Sequence, residues 1–228
     1  MGSTGRGPEL VIFDCDGVLV DSEPLSIGIL VETLNELGFP VSVADCYRQF
    51  LGRSLSSMNS TLRETYGRAL SDAELGAMRE CLYQVYRREL KPIAGVAHAL
   101  EGLGLPFCVA SSSQPDRIRL SLQLTGLLSY FGTNIFSSSM VEHGKPAPDL
   151  FLYAARQMGA APQDCIVVED SPAGIVAAGR AAMRAFAFIG GSHAGPAGLR
   201  EIVAPLRPNC IFERMDDLPD LIAGLSQG

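Results

Sequence analysis

The stretch Val11-Ile12-Phe13-Asp14-Cys15-Asp16-Gly17 constrains the fold more than any other part of the chain. A short apolar run rich in Val and Ile reads as a strand buried on both faces, the condition of a parallel sheet. It stops at two aspartates spaced i, i+2, and a glycine follows. Carboxylates at the carboxyl end of such a strand lie where open α/β sheets put their ligand crevice. The spacing points both side chains to one side and Cys15 to the other, into the core. Two carboxylates held together repel unless a cation or a proton sits between them. The segment therefore predicts a metal-assisted site near residue 14.

Strand-like runs recur at Leu10–Phe13, Pro106–Ala110, Asn134–Ser137, Cys165–Val168 and Arg184–Phe188. Helical spacing fills Pro115–Leu127, Asp149–Met158 and Ala173–Ala181 between them. Strands alternating with helices predict an α/β fold, a doubly wound, Rossmann-like parallel sheet. Asn209–Phe212 adds a candidate edge strand and Leu218–Leu225 a last helix. One segment breaks the alternation. From about Ser22 to Pro92 there is no convincing strand: Glu23–Leu37, Val43–Phe50 and Leu55–Tyr66 look helical. Ser71-Asp72-Ala73-Glu74 has the capping-box form and opens a helix running to about Leu90. The expected organisation is a tail over 1–8, a core of 9–21 and 93–228, and a helical insertion over 22–92. Its connections near 18–22 and 91–95 suggest a hinge, and the insertion a lid over the Asp14 crevice.

Composition narrows the partners. Hydrophobic residues make up 47% and charged ones 19%, which suits a packed globular chain. The net charge of −7, with no Lys or Arg run, argues against a nucleic-acid partner. No apolar stretch approaches the ~20 residues of a transmembrane helix, so no membrane partner is expected. The N-terminus lacks the apolar core of a signal peptide. The six cysteines have no CxxC spacing and read as buried free thiols of a cytoplasmic protein. The expected assembly is a monomer or weak dimer.

Three further features fall at or near strand carboxyl ends: Ser111-Ser112-Ser113, Gly144-Lys145-Pro146-Ala147-Pro148-Asp149 and Val167-Val168-Glu169-Asp170-Ser171. With FDCDGVLVDSE, and in this order, they resemble the motifs of the haloacid dehalogenase-like phosphohydrolases. The likeness spans about residues 9–225. It is narrower toward the branch with a helical cap after the first strand, which includes β-phosphoglucomutase, phosphoglycolate phosphatase and sugar-phosphate phosphatases.

The resemblance implies roles that the charges support. Asp14 is the expected nucleophile, giving an aspartyl-phosphate. Asp16 is the expected acid–base, work typically worth ~10²–10⁴-fold. Mg²⁺ is the implied cofactor, a cation that prefers oxygen ligands. Its implied ligands are the Asp14 carboxylate, the Asp16 backbone carbonyl and Asp170, with Glu169 joining directly or through water. Ser111 and the Ser112 amide are expected to bind the phosphate, and Lys145 to balance its charge and steady Asp14. Ser113 reads as a helix cap and Asp21 as a candidate cap for the first inserted helix. His98, His143 and His193 lack metal-ligand spacing and read as surface or structural residues.

The substrate is harder to read. Arg53, between two helices of the insertion, is a candidate ligand for a carboxylate or second phosphate, or else a solvated surface arginine; Gln114 is a weaker candidate. The mutase has a histidine in its first cap helix where this chain has Ser26, and its distal-phosphate arginine has no clear counterpart. Lys91 and Lys145 are the two lysines of the chain, and Lys91 falls at the hinge, which argues against the Schiff-base chemistry of phosphonate-cleaving relatives. The expectation is a phosphatase for a small phosphorylated sugar, sugar acid or polyol. A sugar-phosphate mutase and a non-catalytic phosphometabolite-binding protein are the alternatives.

Overall fold

The computed structural model describes residues 7–51 and 55–225. Six parallel strands form one sheet: β1 (Leu10–Phe13), β2 (Phe107–Ser111), β3 (Ile135–Ser137), β4 (Cys165–Glu169), β5 (Arg184–Phe188) and β6 (Cys210–Phe212), in the order β3-β2-β1-β4-β5-β6. The chain builds outward from β1 on one side, then crosses back and builds outward on the other. The order thus reverses at the carboxyl ends of β1 and β4, where such sheets open a crevice.

Period-two alternation divides each strand between two cores. Val11, Phe13, Val109 and Val168 face one apolar layer. Its helices are α5 (Val96–Gly102), α6 (Pro115–Leu124), α7 (Leu128–Phe131) and α11 (Leu218–Gly224). Leu10, Ile12, Cys108 and Val167 face the other. There lie α8 (Asp149–Met158), α9 (Pro172–Arg180) and α10 (Leu199–Val203).

Among the described residues the insertion comprises four helices: α1 (Glu23–Glu36), α2 (Val43–Phe50), α3 (Leu55–Tyr66) and α4 (Asp72–Glu89). They enclose an apolar cluster of their own, centred on Leu34, Cys46, Phe50, Met58, Leu62 and Met78. Their two connections run side by side: the Asp21 amide donates to the Lys91 carbonyl (2.9 Å), and the Ile93 amide to that of Leu19 (2.9 Å). The capping box at Ser71 forms as its sequence suggests, with the Ser71 amide donating to Glu74 Oε2 at 2.8 Å.

Several local expectations need correction. Ser111 is the last residue of β2 and does not follow it. The helix expected over Pro115–Leu127 ends at Leu124, and α7 is a separate turn beyond Gly126, whose φ is +75°. The short helices α5 and α10 had no reading in the sequence. Asp21 caps no helix; its carboxylate accepts from the Ser192 amide (3.1 Å) and hydroxyl (2.9 Å). The cysteines are free, but Cys81 is exposed on α4 and Cys210 on β6 is only half-buried. Among the described residues no helix is long and apolar enough to cross a membrane.

Candidate active site

β1 ends at Phe13 and hands Asp14 to the crevice, where the Asp14 amide donates to the Val168 carbonyl of β4 at 2.9 Å. The chain then turns at Gly17, with φ +78°. A Cβ there would lie 2.0 Å from Asp170 Oδ2, so both the backbone conformation and the close approach require glycine. Cys15 is fully buried in the apolar layer, on the side away from the carboxylates.

Lys145, carried on the loop before α8, reaches under the strand ends. Its Nζ donates to Asp14 Oδ1 at 2.7 Å and to Glu169 Oε1 at 2.6 Å, with the side chain 1% exposed. The Phe151 ring lies 4.9 Å from the same ammonium. Glu169 spends its other oxygen on the Ser171 amide (2.7 Å) and hydroxyl (2.9 Å). Asp170 faces His193, whose Nε2 lies 2.8 Å away without the alignment of a formed hydrogen bond. The histidine is completely buried, which agrees with a structural role.

The electrostatics follow from burial and crowding. Burial pushes the Asp14 carboxyl well above its ordinary range; Lys145 opposes this, and Glu169, Asp170 and Asp16 add to it. Glu169 is raised for the same first reason, burial, against the pull of Lys145. Burial disfavours the Lys145 ammonium, but Asp14 and Glu169 outweigh it and hold the proton more firmly than in water. Carboxylate oxygens of Asp14, Glu169 and Asp170 lie within 4.8 Å of one another. This donor set is all oxygen, buried and short of positive charge, and it fits a hard divalent cation.

Asp16 is held apart from that cluster. Its carboxylate accepts from Ser22 Oγ (2.7 Å), Ser113 Oγ (2.7 Å) and Arg117 Nη2 (2.9 Å). Burial lifts its pKa, but Arg117 and the two hydroxyls outweigh burial and leave it below the usual range. Ser113 therefore holds Asp16 and does not cap α6, whose N-cap is Gln114. The buried Ser111 hydroxyl oxygen accepts from the Ser113 amide at 3.1 Å. That bond leaves the hydroxyl proton available to a ligand.

Asp14, Asp16, Ser111, Ser112, Lys145 and Glu169 line one cavity of about 90 Å³. Its far wall is apolar and comes from the insertion: Ile27, Leu30, Phe50, Met58, Met78 and Leu82. A neighbouring cavity of about 310 Å³ shares Ser112, Ser113, Arg117 and Lys145 and includes Gln114. Arg53 lies outside the described residues.

Arg117 and Glu23 had no reading in the sequence, although both line the first cavity. Arg117 carried a signal. It sits in the first turn of α6, where the helix dipole disfavours a cation; a broken local rule of this kind marks a functional site. The reason lies in Asp16. Glu23 follows Ser22 directly but reads as an ordinary acidic residue in a helix's first turn.

The comparisons with known proteins agree with this geometry. The family model of the haloacid dehalogenase-like hydrolases matches residues 8–182. The chain belongs to this family. It is 30% identical over 214 residues to 6-phosphogluconate phosphatase of Escherichia coli (strain K12), covering 93% of this chain and 94% of that one. It is also 30% identical to fructose-1-phosphate phosphatase of the same organism, over 77% of this chain and 93% of the relative. Among solved structures, a conserved haloacid dehalogenase-like protein of unknown function from Agrobacterium tumefaciens superposes with a TM-score of 0.83 at 36% identity, covering 96% of this chain and all of that one. The resemblance of the motifs, the α/β fold and the assignment as a phosphoric monoester hydrolase are thus borne out.

Proposed function

We propose that the chain is a Mg²⁺-dependent phosphatase of small phosphorylated sugars, sugar acids or polyols, acting through an aspartyl-phosphate at Asp14. One observation carries the reading. The Lys145 ammonium bridges Asp14 and Glu169 in a small cavity that Asp16 also lines. In the first step an Asp14 carboxylate oxygen bonds to phosphorus as the ester P–O bond breaks, and Asp16, ionised at rest, passes to the departing oxygen a proton that it takes up from solvent. In the second step Asp16 takes a proton from water as its oxygen bonds to phosphorus. The bond between phosphorus and Asp14 then breaks, releasing phosphate.

The Asp14 and Asp170 carboxylates and the Asp16 carbonyl would hold the cation, and Glu169, occupied by Lys145 and Ser171, would act through water. Bound Mg²⁺ would offset the repulsion between the carboxylates and the phosphate dianion. Ser111 and Ser112 would orient the phosphoryl oxygens, and Lys145 would balance their charge. Attack by water, not by a sugar hydroxyl, fits Ser26: its hydroxyl is engaged with Tyr86 Oη (2.8 Å) and Arg117 Nη2 (3.2 Å). The substrate class rests on the names of the relatives and on the small cavity under the insertion. Asp14→Asn should abolish phosphate release from an aryl phosphate in Mg²⁺, and retained turnover would overturn the nucleophile.

A further inference from the structure

The part of the cavity next to Asp16 contains hydrogen-bonding capacity that the reaction does not use. Glu23, at the start of α1, is 7% exposed and lines the cavity. Among the described residues its carboxyl makes no hydrogen bond and no ion pair. An unpartnered carboxyl in a buried place is costly unless a ligand completes it.

Arg117 lines the same cavity, near enough for the two charges to interact. All three of its hydrogen bonds use Nη2: to Asp16, to Ser26 and to Tyr86 Oη at 2.8 Å. Its Nε is buried with no partner, and among the described residues Nη1 makes no hydrogen bond. Two groups of opposite character thus face the cavity: a carboxyl that accepts and a guanidinium that donates. A hydroxyl can satisfy both at once, since it accepts from one and donates to the other. Much of the remaining lining is apolar, the usual setting in which a few polar groups fix a ligand's orientation.

Position gives the hydroxyl an address. Asp16 must touch the ester oxygen, and Arg117 is 2.9 Å from Asp16 Oδ1. The guanidinium is rigid, so a ligand oxygen held by Nη1 lies within a carbon or two of the ester oxygen. We propose that Glu23 and Arg117 form a leaving-group subsite that selects phosphate esters bearing a hydroxyl on the carbon next to the ester carbon. The assignment rests on the phosphatase reading and sharpens its substrate class.

The test compares glycerol 3-phosphate, which has that hydroxyl, with 3-hydroxypropyl phosphate, which lacks it but keeps the terminal one. Wild type should prefer the first in kcat/KM by on the order of 10–100-fold, the scale of one hydrogen bond to a charged or buried group. Glu23→Met, similar in size but without hydrogen-bonding capacity, should reduce the preference to about threefold or less; Glu23→Gln should restore most of it. A wild type without preference, or a preference unchanged in Glu23→Met, would overturn the subsite and leave the phosphatase standing. A wild type that releases phosphate from neither ester nor from an aryl phosphate in Mg²⁺ would overturn the phosphatase reading, and the subsite with it.

Discussion

Glu23 sits in an environment far from that of an exposed carboxyl. Burial, then the Asp16 and Asp170 charges, push its pKa from 4.5 up to about 8. Between those pH values the folded chain keeps a proton that the unfolded chain has released. Stability is therefore lost as pH rises from about 4.5 to 8. In metal-free protein Glu23→Gln should melt higher than wild type at pH 8, by up to a few kcal/mol, with the gain vanishing near pH 4.5. An equal gain at both pH values would contradict the buried, proton-holding carboxyl. Asp14, Asp16, Lys145 and the Glu169–Asp170 pair could be read from the sequence because each closes an apolar strand or stands in a proline-fixed loop. Tyr86 could not, and Arg117 showed only as a cation at a helix N-terminus. Arg117 joins Asp16 to Tyr86 only when α6 and α4 pack against the same crevice, a long-range pairing that local spacing does not reveal.

At the scale of elements, the helices of the insertion are held by two separable devices. The Ser71–Glu74 box starts α4, and Ser71→Ala should cost about 1 kcal/mol in urea denaturation without altering the strands it never touches. Leu34, fully buried among α1–α4, should cost ~2–5 kcal/mol as Leu34→Ala. Hydrogen exchange should show faster opening of the inserted helices, while β1 and β4 stay protected; uniform loss of protection would contradict a cluster that stands apart from the sheet. The strands were readable because buried parallel strands are continuous apolar runs, and β1 and β5 appear with the boundaries expected. The helices α5 and α10 were not, because α5 is seven residues long and α10 five, too short for a 3.6-residue period to register. Ser113 was misread for a different reason: a serine before a helix satisfies the cap pattern, and only the fold reveals the carboxylate that claims its hydroxyl.

For the molecule as a whole, the sheet, the reversal of strand order at β1 and β4 and the four-helix insertion converge on a single charged crevice. Its buried carboxylates should make stability depend on a divalent cation. Mg²⁺ at one hundred times its Kd should stabilise the native chain by about 2.7 kcal/mol, and Asp170→Asn should remove most of that gain; a melting temperature indifferent to Mg²⁺ would contradict the metal assignment. The central claim is the covalent one, that phosphate passes through Asp14. Acid quenching during turnover, borohydride reduction and peptide mass spectrometry test it most directly. The expected result is homoserine at position 14 in wild type, dependent on substrate and absent in Asp14→Asn. Turnover that leaves position 14 unmodified, or reduction at a different residue, would contradict it.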